Sequence, residues 1–195
     1  MQKHLIPGRA LFCLAALGVV TACDTASAPI EPYSASDITS TEMRKLLSEK
    51  GLLTDGLYRV TGSISSAQVP SLPSDDVQAR HILEAMRATL ASPPAVDIQM
   101  CLTAESSFDP RGQTEVLCDI PNVSGEGQNI VFTMVCSMGD DERTATSEVT
   151  GTISADGYDF AATGLVPIIP GPTAEMREAT VVSVLKGVRV GDCGQ

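Results

Sequence analysis

The apolar positions change their spacing twice along this chain. Ala10 to Val20 is an unbroken apolar run. Between Thr39 and Leu90 apolar residues recur at helical spacing in two stretches. From Val96 onward they alternate with polar ones. Thr39 and Glu42 have capping-box spacing, and Ile38 and Met43 sit where a hydrophobic staple would hold the helix entry. Met43, Leu46 and Leu47 form a stripe and Gly51 stands at the C′ position, predicting a helix from Ser40 to Lys50. Ala79, Ile82, Leu83, Met86 and Leu90 form a second stripe, predicting a helix from Asp75 to Ala91 that Pro93-Pro94 stops. The methionines in these stripes read as core filler.

Strands are predicted around and after these helices. In Gly56–Ile64, Tyr58, Val60 and Ile64 face one way and Arg59, Thr61 and Ser63 the other. Ser65 to Ser74, with Pro70 and Pro73, reads as loop. Val96, Ile98, Met100 and Leu102 alternate strictly, placing Cys101 on the opposite face. Asp109-Pro110-Arg111-Gly112 is a turn signal. Thr114–Ile120, Asn129–Ser137, Thr144–Ala155, Tyr158–Thr163 and Thr180–Val190 follow as strands. The turns predicted between them are Ser124–Gly127, Met138–Asp141 and Asp156-Gly157, the last a two-residue hairpin signal. Leu165 to Pro172, with three prolines, reads as an edge or crossing loop. Connections this short make neighbours antiparallel. The expected class is α+β: a mainly antiparallel sheet of about six or seven strands, curved or a partial barrel, with two helices in the N-terminal half.

The ends of the chain change this picture. The eleven apolar residues from Ala10 to Val20 are too few for a hydrocarbon core that needs ~20. They follow Lys3 and Arg9 and match the hydrophobic region of a secretory signal. Val20-Thr21-Ala22-Cys23 then satisfies each position of a bacterial lipobox, in which the cysteine receives diacylglycerol. The expected organisation is a lipoprotein signal peptide over residues 1–22, a lipidated flexible tether over 23–38, and one globular domain over 39–195. From Asp24 to Ile38 the tether has a typical reach of about 20 Å. Removing 22 of 195 residues leaves 173, and losing Lys3 and Arg9 takes the net charge from −11 to −13. Such a balance repels phosphate backbones, so no nucleic acid is expected as partner. With 4% aromatic residues and no Trp, large stacking platforms for bases or sugars are not expected either.

Cysteine usage follows from the same leader. Of six cysteines, Cys13 leaves with the signal and Cys23 is the expected lipid attachment. Cys101, Cys118, Cys136 and Cys193 remain, an even set that reads as two disulfides in an oxidising compartment. Cys118 and Cys136 lie on consecutive arms of a predicted hairpin and are symmetric about residue 127. Opposed residues in antiparallel strands are within disulfide reach. Cys118 is therefore paired with Cys136, which leaves Cys101 with Cys193. Gaps of 16, 17 and 56 residues lack the closely spaced pairs of a zinc site, so no metal is expected.

Catalytic signatures are missing. After the leader only His81 remains as a histidine, mid-helix beside Arg80, where it reads as solvated. There is no G-x-S-x-G elbow, H-E-x-x-H, P-loop or G-x-G-x-x-G. Ser124–Gly127 connects two strands, with no following helix to receive a phosphate. Asp140-Asp141-Glu142 lacks the ligand alternation of an EF-hand loop, and Asp75-Asp76 reads as helix N-terminal charge. No catalytic residue, cofactor or metal is expected, and the chain is expected not to be an enzyme.

Several of these segments together resemble the bacterial "domain of unknown function 3617" family of exported proteins. The likeness rests on Gly56-Leu57-Tyr58-Arg59-Val60-Thr61, close to a Gly-Leu-Trp-x-Val opening, and on Cys101-Leu102-Thr103 followed by Glu105. It continues through Cys118…Ser124-Gly125…Cys136 and closes on Val190-Gly191-Asp192-Cys193. Tyr58 stands where a Trp is usual and Arg59 where an acid is common. The resemblance implies an exported, cysteine-stapled β-rich domain and assigns no catalytic residue. The function expected is a lipid-anchored, periplasm-facing envelope lipoprotein of a Gram-negative bacterium. It would act as a non-catalytic binding or interaction module, with an envelope protein or an apolar ligand as partner, and both the inner and the outer membrane stay open as its seat, Asp24 favouring the inner. The alternatives are a carrier of a small apolar or lipid ligand in a β-sheet pocket, and a hydrolase built from scattered acids.

Overall fold

The computed structural model describes residues 30–70, 77–91, 95–108, 118–137, 144–168 and 177–194. In chain order the elements are β1 (Tyr33–Thr39), α1 (Ser40–Glu49), β2 (Gly56–Gln68), α2 (Val77–Ala91), β3 (Val96–Leu102), β4 (Cys118–Glu126), β5 (Asn129–Ser137), β6 (Thr144–Ser154), β7 (Gly157–Ile168) and β8 (Arg177–Gly191). All eight strands join one antiparallel sheet in the order β1-β4-β5-β6-β7-β8-β2-β3. The sheet is open, with β1 and β3 as its edges.

The mainly antiparallel α+β class is as expected, while the strand count and several boundaries differ. Tyr33–Ile38, expected to lie within the tether, forms with Thr39 an edge strand on β4. Its β-structure comes from the unpaired ladder groups of β4, because its own sequence has only Tyr33, Ala35 and Ile38 to turn inward. Of the rest of the expected tether, Ile30 packs against the main core, while residues 23–29 and the signal peptide precede the described residues. Ser65–Gln68, expected as loop, extends β2 past a bulge between Ile64 and Ser66 and pairs with β8. Leu165–Ile168, expected as an edge or a crossing loop, continues β7 against Thr180–Arg177, and beyond Leu165 it pairs on that side alone. Pro167 fits there because a proline needs only to avoid donating to the ladder. The expectations for Thr114–Leu117, Asp109–Gly112, Asp75-Asp76 and Met138–Asp141 fall outside the described residues.

Two turns are displaced by a residue or more. The β4–β5 strands run on to Glu126 and Asn129, so the turn is Gly127-Gln128, with Gly127 at φ 57°. The β6–β7 turn is Ala155-Asp156, closed by Ser154 and Gly157. Gly157 is thus a strand residue, and a Cβ there would collide with the Gly187 carbonyl on β8.

α1 behaves as its capping signals require. The Thr39 hydroxyl accepts from the Glu42 N–H at 3.2 Å, and the Glu42 carboxylate accepts from the Thr39 N–H at 2.8 Å. Its buried face is Ser40, Met43, Arg44 and Leu47. Met43 and Leu47 join Leu52, Leu53, Tyr58, Val60, Leu102, Ile120 and Phe132 in the main core. Phe108, in the segment after β3, lies at the centre of an aromatic group. Its ring centroid is 6.4, 5.8 and 6.2 Å from those of Phe132, Tyr158 and Phe160, and its N–H donates to the Ser40 carbonyl at 3.0 Å. α2 packs apart from this core, through Leu83 on Ala179 with Val69 and Met86 beside them. Among the described residues no helix is long and apolar enough to cross a membrane.

Candidate functional site

Polar side chains converge where the ends of β2, β8 and the β6–β7 turn meet. The Thr54 N–H and hydroxyl donate to the Ala155 carbonyl at 3.2 and 2.7 Å. The Tyr58 hydroxyl lies 2.8 Å from the Thr54 carbonyl and 3.2 Å from that of Ala155. Arg189 donates through its backbone N–H to Asp156 O at 2.8 Å and through Nε to Asp55 O at 3.0 Å, and its guanidinium pairs with Asp192. Arg44, fully buried on α1, donates to Leu53 O at 3.0 Å and to the Asp55 carboxylate at 2.6 Å. Gly56 lets Arg189 cross, because a Cβ at that position would overlap the guanidinium.

This cluster gathers the Gly56–Thr61 and Val190–Cys193 segments, but its chemistry is inward-looking. Two of the three guanidinium nitrogens of each arginine donate to backbone carbonyls or carboxylates of the chain. Burial pushes the Tyr58 phenol up and the Arg44 guanidinium down, yet both stay protonated at neutral pH. The cluster therefore clamps strand ends. Arg44 was not singled out in the sequence. The signal for it is the i, i+3, i+4, i+7 series Ser40, Met43, Arg44, Leu47, in which the charged residue occupies a core position.

The sheet face turned away from the core carries a different arrangement. Asp159, Lys186, Thr61 and Asp97 form one cross-strand row over β7, β8, β2 and β3. Arg59 binds Asp97 through Nε at 2.8 Å and Nη2 at 2.6 Å. These hydrogen bonds hold the Asp97 carboxyl below and the Arg59 guanidinium above their ordinary values. An open groove of about 520 Å³ runs along this row, with Thr61, Ser63, Asp97, Asp159, Val184 and Lys186 among its walls. Val131, Leu165, Val184, Val188 and Val190 are exposed on this face.

The expected site residues are placed as follows. Cys101 is bonded to Cys193 with 5.5 Å between Cα atoms, and Cys118 to Cys136 with 4.1 Å. The second pair is directly opposed on β4 and β5. The Gly127-Gln128 turn alone would set Cys118 against Ser137. A bulge between Asp119 and Asn122 shifts the register by one and brings in Cys136. The first bridge spans the end of β2, where Leu57 pairs with both Cys101 and Gly191. His81 is exposed, 3.9 Å from Glu84 on its own helix. Asp140-Asp141-Glu142 falls outside the described residues. Among the described residues no group of three His, Cys, Asp or Glu side chains converges in a metal-holding arrangement. Glu42 and Asp97 are both lowered in pKa by the donors they accept from, the reverse of what a general acid needs.

Residues 53–193 match the profile of a family described as a protein of unknown function (DUF3617). No curated protein and no solved structure matches the chain. The matched span takes in β2 to β8 and both disulfides, with β1 and α1 ahead of it. By this match over most of its length, the chain belongs to the DUF3617 family.

Proposed function

We propose that the protein is a lipid-anchored, periplasm-facing envelope lipoprotein whose folded part is a non-catalytic binding module. The observation that carries this reading is the cysteine count. The four cysteines of the folded part are consumed in two disulfides, which suits an oxidising space and leaves Cys23, at the end of a lipobox, as the odd thiol for a lipid. Diacylglycerol brings two chains, enough for stable anchoring without a spanning helix. Asp24 favours the inner membrane. The binding role is supported by the sheet's outer face, where exposed valines flank a polar groove. Intact mass of the membrane-extracted, non-reduced protein tests the anchor. A chain starting at Cys23, carrying lipid and lacking four hydrogens for two disulfides, is expected. An unlipidated chain in the soluble fraction refutes it.

The carrier of an apolar ligand is the second reading, and the core weighs against it. Phe108, Phe132, Tyr158 and Phe160 pack edge-on and stacked where such a ligand would lie, and the 520 Å³ groove is open and partly polar. Native mass spectrometry showing co-purified lipid inside the folded domain would restore it.

A further inference from the structure

The edge of β4 is covered by β1, an edge strand whose Tyr33 enters the main core while Ala35 and Ile38 pack partly buried against it. β1 lies ahead of the span that matches the family, pairs on one side only, and carries neither disulfide. It buries one large side chain, Tyr33, and among the described residues that side chain's hydroxyl has no hydrogen-bond partner. Asp37 takes φ 53°, the only positive φ of a non-glycine residue among those described, which costs stability for a residue with a Cβ. It stands opposite Pro121 in the register, between the Ser36–Asn122 and Ile38–Ile120 pairs, where proline has no N–H to give. Immediately after it the chain is fixed: Met43 and Leu47 are fully buried and Ser40 accepts from the Phe108 N–H. Asp37 is thus a strained joint within β1, with Tyr33–Ser36 on one side and, on the other, the pairs Ile38–Ile120 and Thr39–Asp119 that lead into a firmly held helix.

We propose that β1 is a displaceable strand hinged at Asp37, and that a second copy of the protein supplies the same strand to the β4 edge by exchange. The occupant is named by fit. The β4 edge is shaped for this segment, because Gly125 leaves the space that the Tyr33 ring fills, and Val123 and Ile120 face Ala35 and Ile38. A second copy presents that segment in identical register. Strained joints next to an exchangeable element are a known route to such swapping.

Ser34 and Ser124 are directly opposed and both exposed, so Ser34→Cys and Ser124→Cys are conservative probes. The two single variants of the full chain are purified, checked by mass for intact native disulfides, mixed and oxidised. Exchange predicts a mixed disulfide joining position 34 of one copy to position 124 of the other, lost when the acceptor also carries Gly125→Val. Amide exchange of the unmodified protein is expected to be at least ~100-fold faster in β1 than in β5. Only 34–34 and 124–124 products, or β1 amides as protected as those of β5, overturn the proposal. Capture of an extended segment from a different protein by the Ser124→Cys variant, at that position, overturns the second copy as occupant.

Discussion

Removing either partner of the Arg44–Asp55 pair should give very unequal losses. Arg44 has no exposed surface, whereas the Asp55 side chain is 55% exposed. Asp55→Ala strands a buried guanidinium, and leaving a buried charge uncompensated costs ~3–5 kcal/mol. Water reaches Asp55 and already screens the pair, so about 2–3 kcal/mol is expected here. Arg44→Met removes the buried charge and its unpartnered Nε and leaves Asp55 free to hydrate. What it loses is the bond to the Leu53 carbonyl, ~1–2 kcal/mol for an acceptor left unsatisfied. Apolar packing and the absent desolvation cost offset part of that. Asp55→Ala should therefore destabilise more than Arg44→Met by about 1–2 kcal/mol, read as the shift of the urea midpoint at unchanged slope. A loss above ~3 kcal/mol for Arg44→Met with almost none for Asp55→Ala would refute the reasoning. It would show that the arginine acts through packing that the carboxylate does not support.

Five further outcomes are expected. Gly157→Ala should cost more than ~2 kcal/mol in thermal or urea unfolding, because its Cβ meets the β8 backbone and not a side chain that can swing aside. Gly127→Ala should cost only ~1 kcal/mol, being an open turn position with positive φ. Replacing Cys101 and Cys193 by Ala should destabilise more than replacing Cys118 and Cys136, since the bridges close separations of 92 and 18 residues. Loop entropy gives roughly 4–5 against 3 kcal/mol, and an equal or reversed order would point to native-state contacts. Arg59→Gln should raise the Asp97 pKa toward the ordinary carboxylate value, because the guanidinium supplies the bonds that lower it; an NMR titration that leaves it unmoved refutes the pairing. Glu42 is also lowered in the folded state. Its contribution is complete above the unfolded carboxylate value of ~4.3 and lost as pH falls through the folded value. Thr39→Ala should cost ~1 kcal/mol at neutral pH and less at low pH, and a pH-independent loss would contradict the capping box.

The sequence by itself determined what depends on neighbours a few residues away. The capping box at Thr39 and Glu42, the alternation of Val96 to Leu102 and the hairpin successions from β4 to β7 follow from side-chain period and turn chemistry, which act over one turn or one strand. The Cys118–Cys136 pair was legible for the same reason, though its hairpin contains a turn one step away from the expected one and a bulge that corrects for it, and Cys101 with Cys193 followed by elimination. Contacts between distant segments were decided only by the tertiary structure. Tyr33–Thr39 has too few apolar residues to declare a strand and becomes one because β4 presents an open edge. Gly157 looks like a turn residue until β8 passes beside it, and Phe108 stands in no periodic pattern yet fills the middle of the aromatic group. β2 lies between β8 and β3 because the buried faces of all three must share one core, a closure no local pattern encodes. Arg44 shows the limit most plainly: a charged residue is placed at a core position, and only the carbonyl and carboxylate brought by the Leu53–Asp55 segment make that position tolerable.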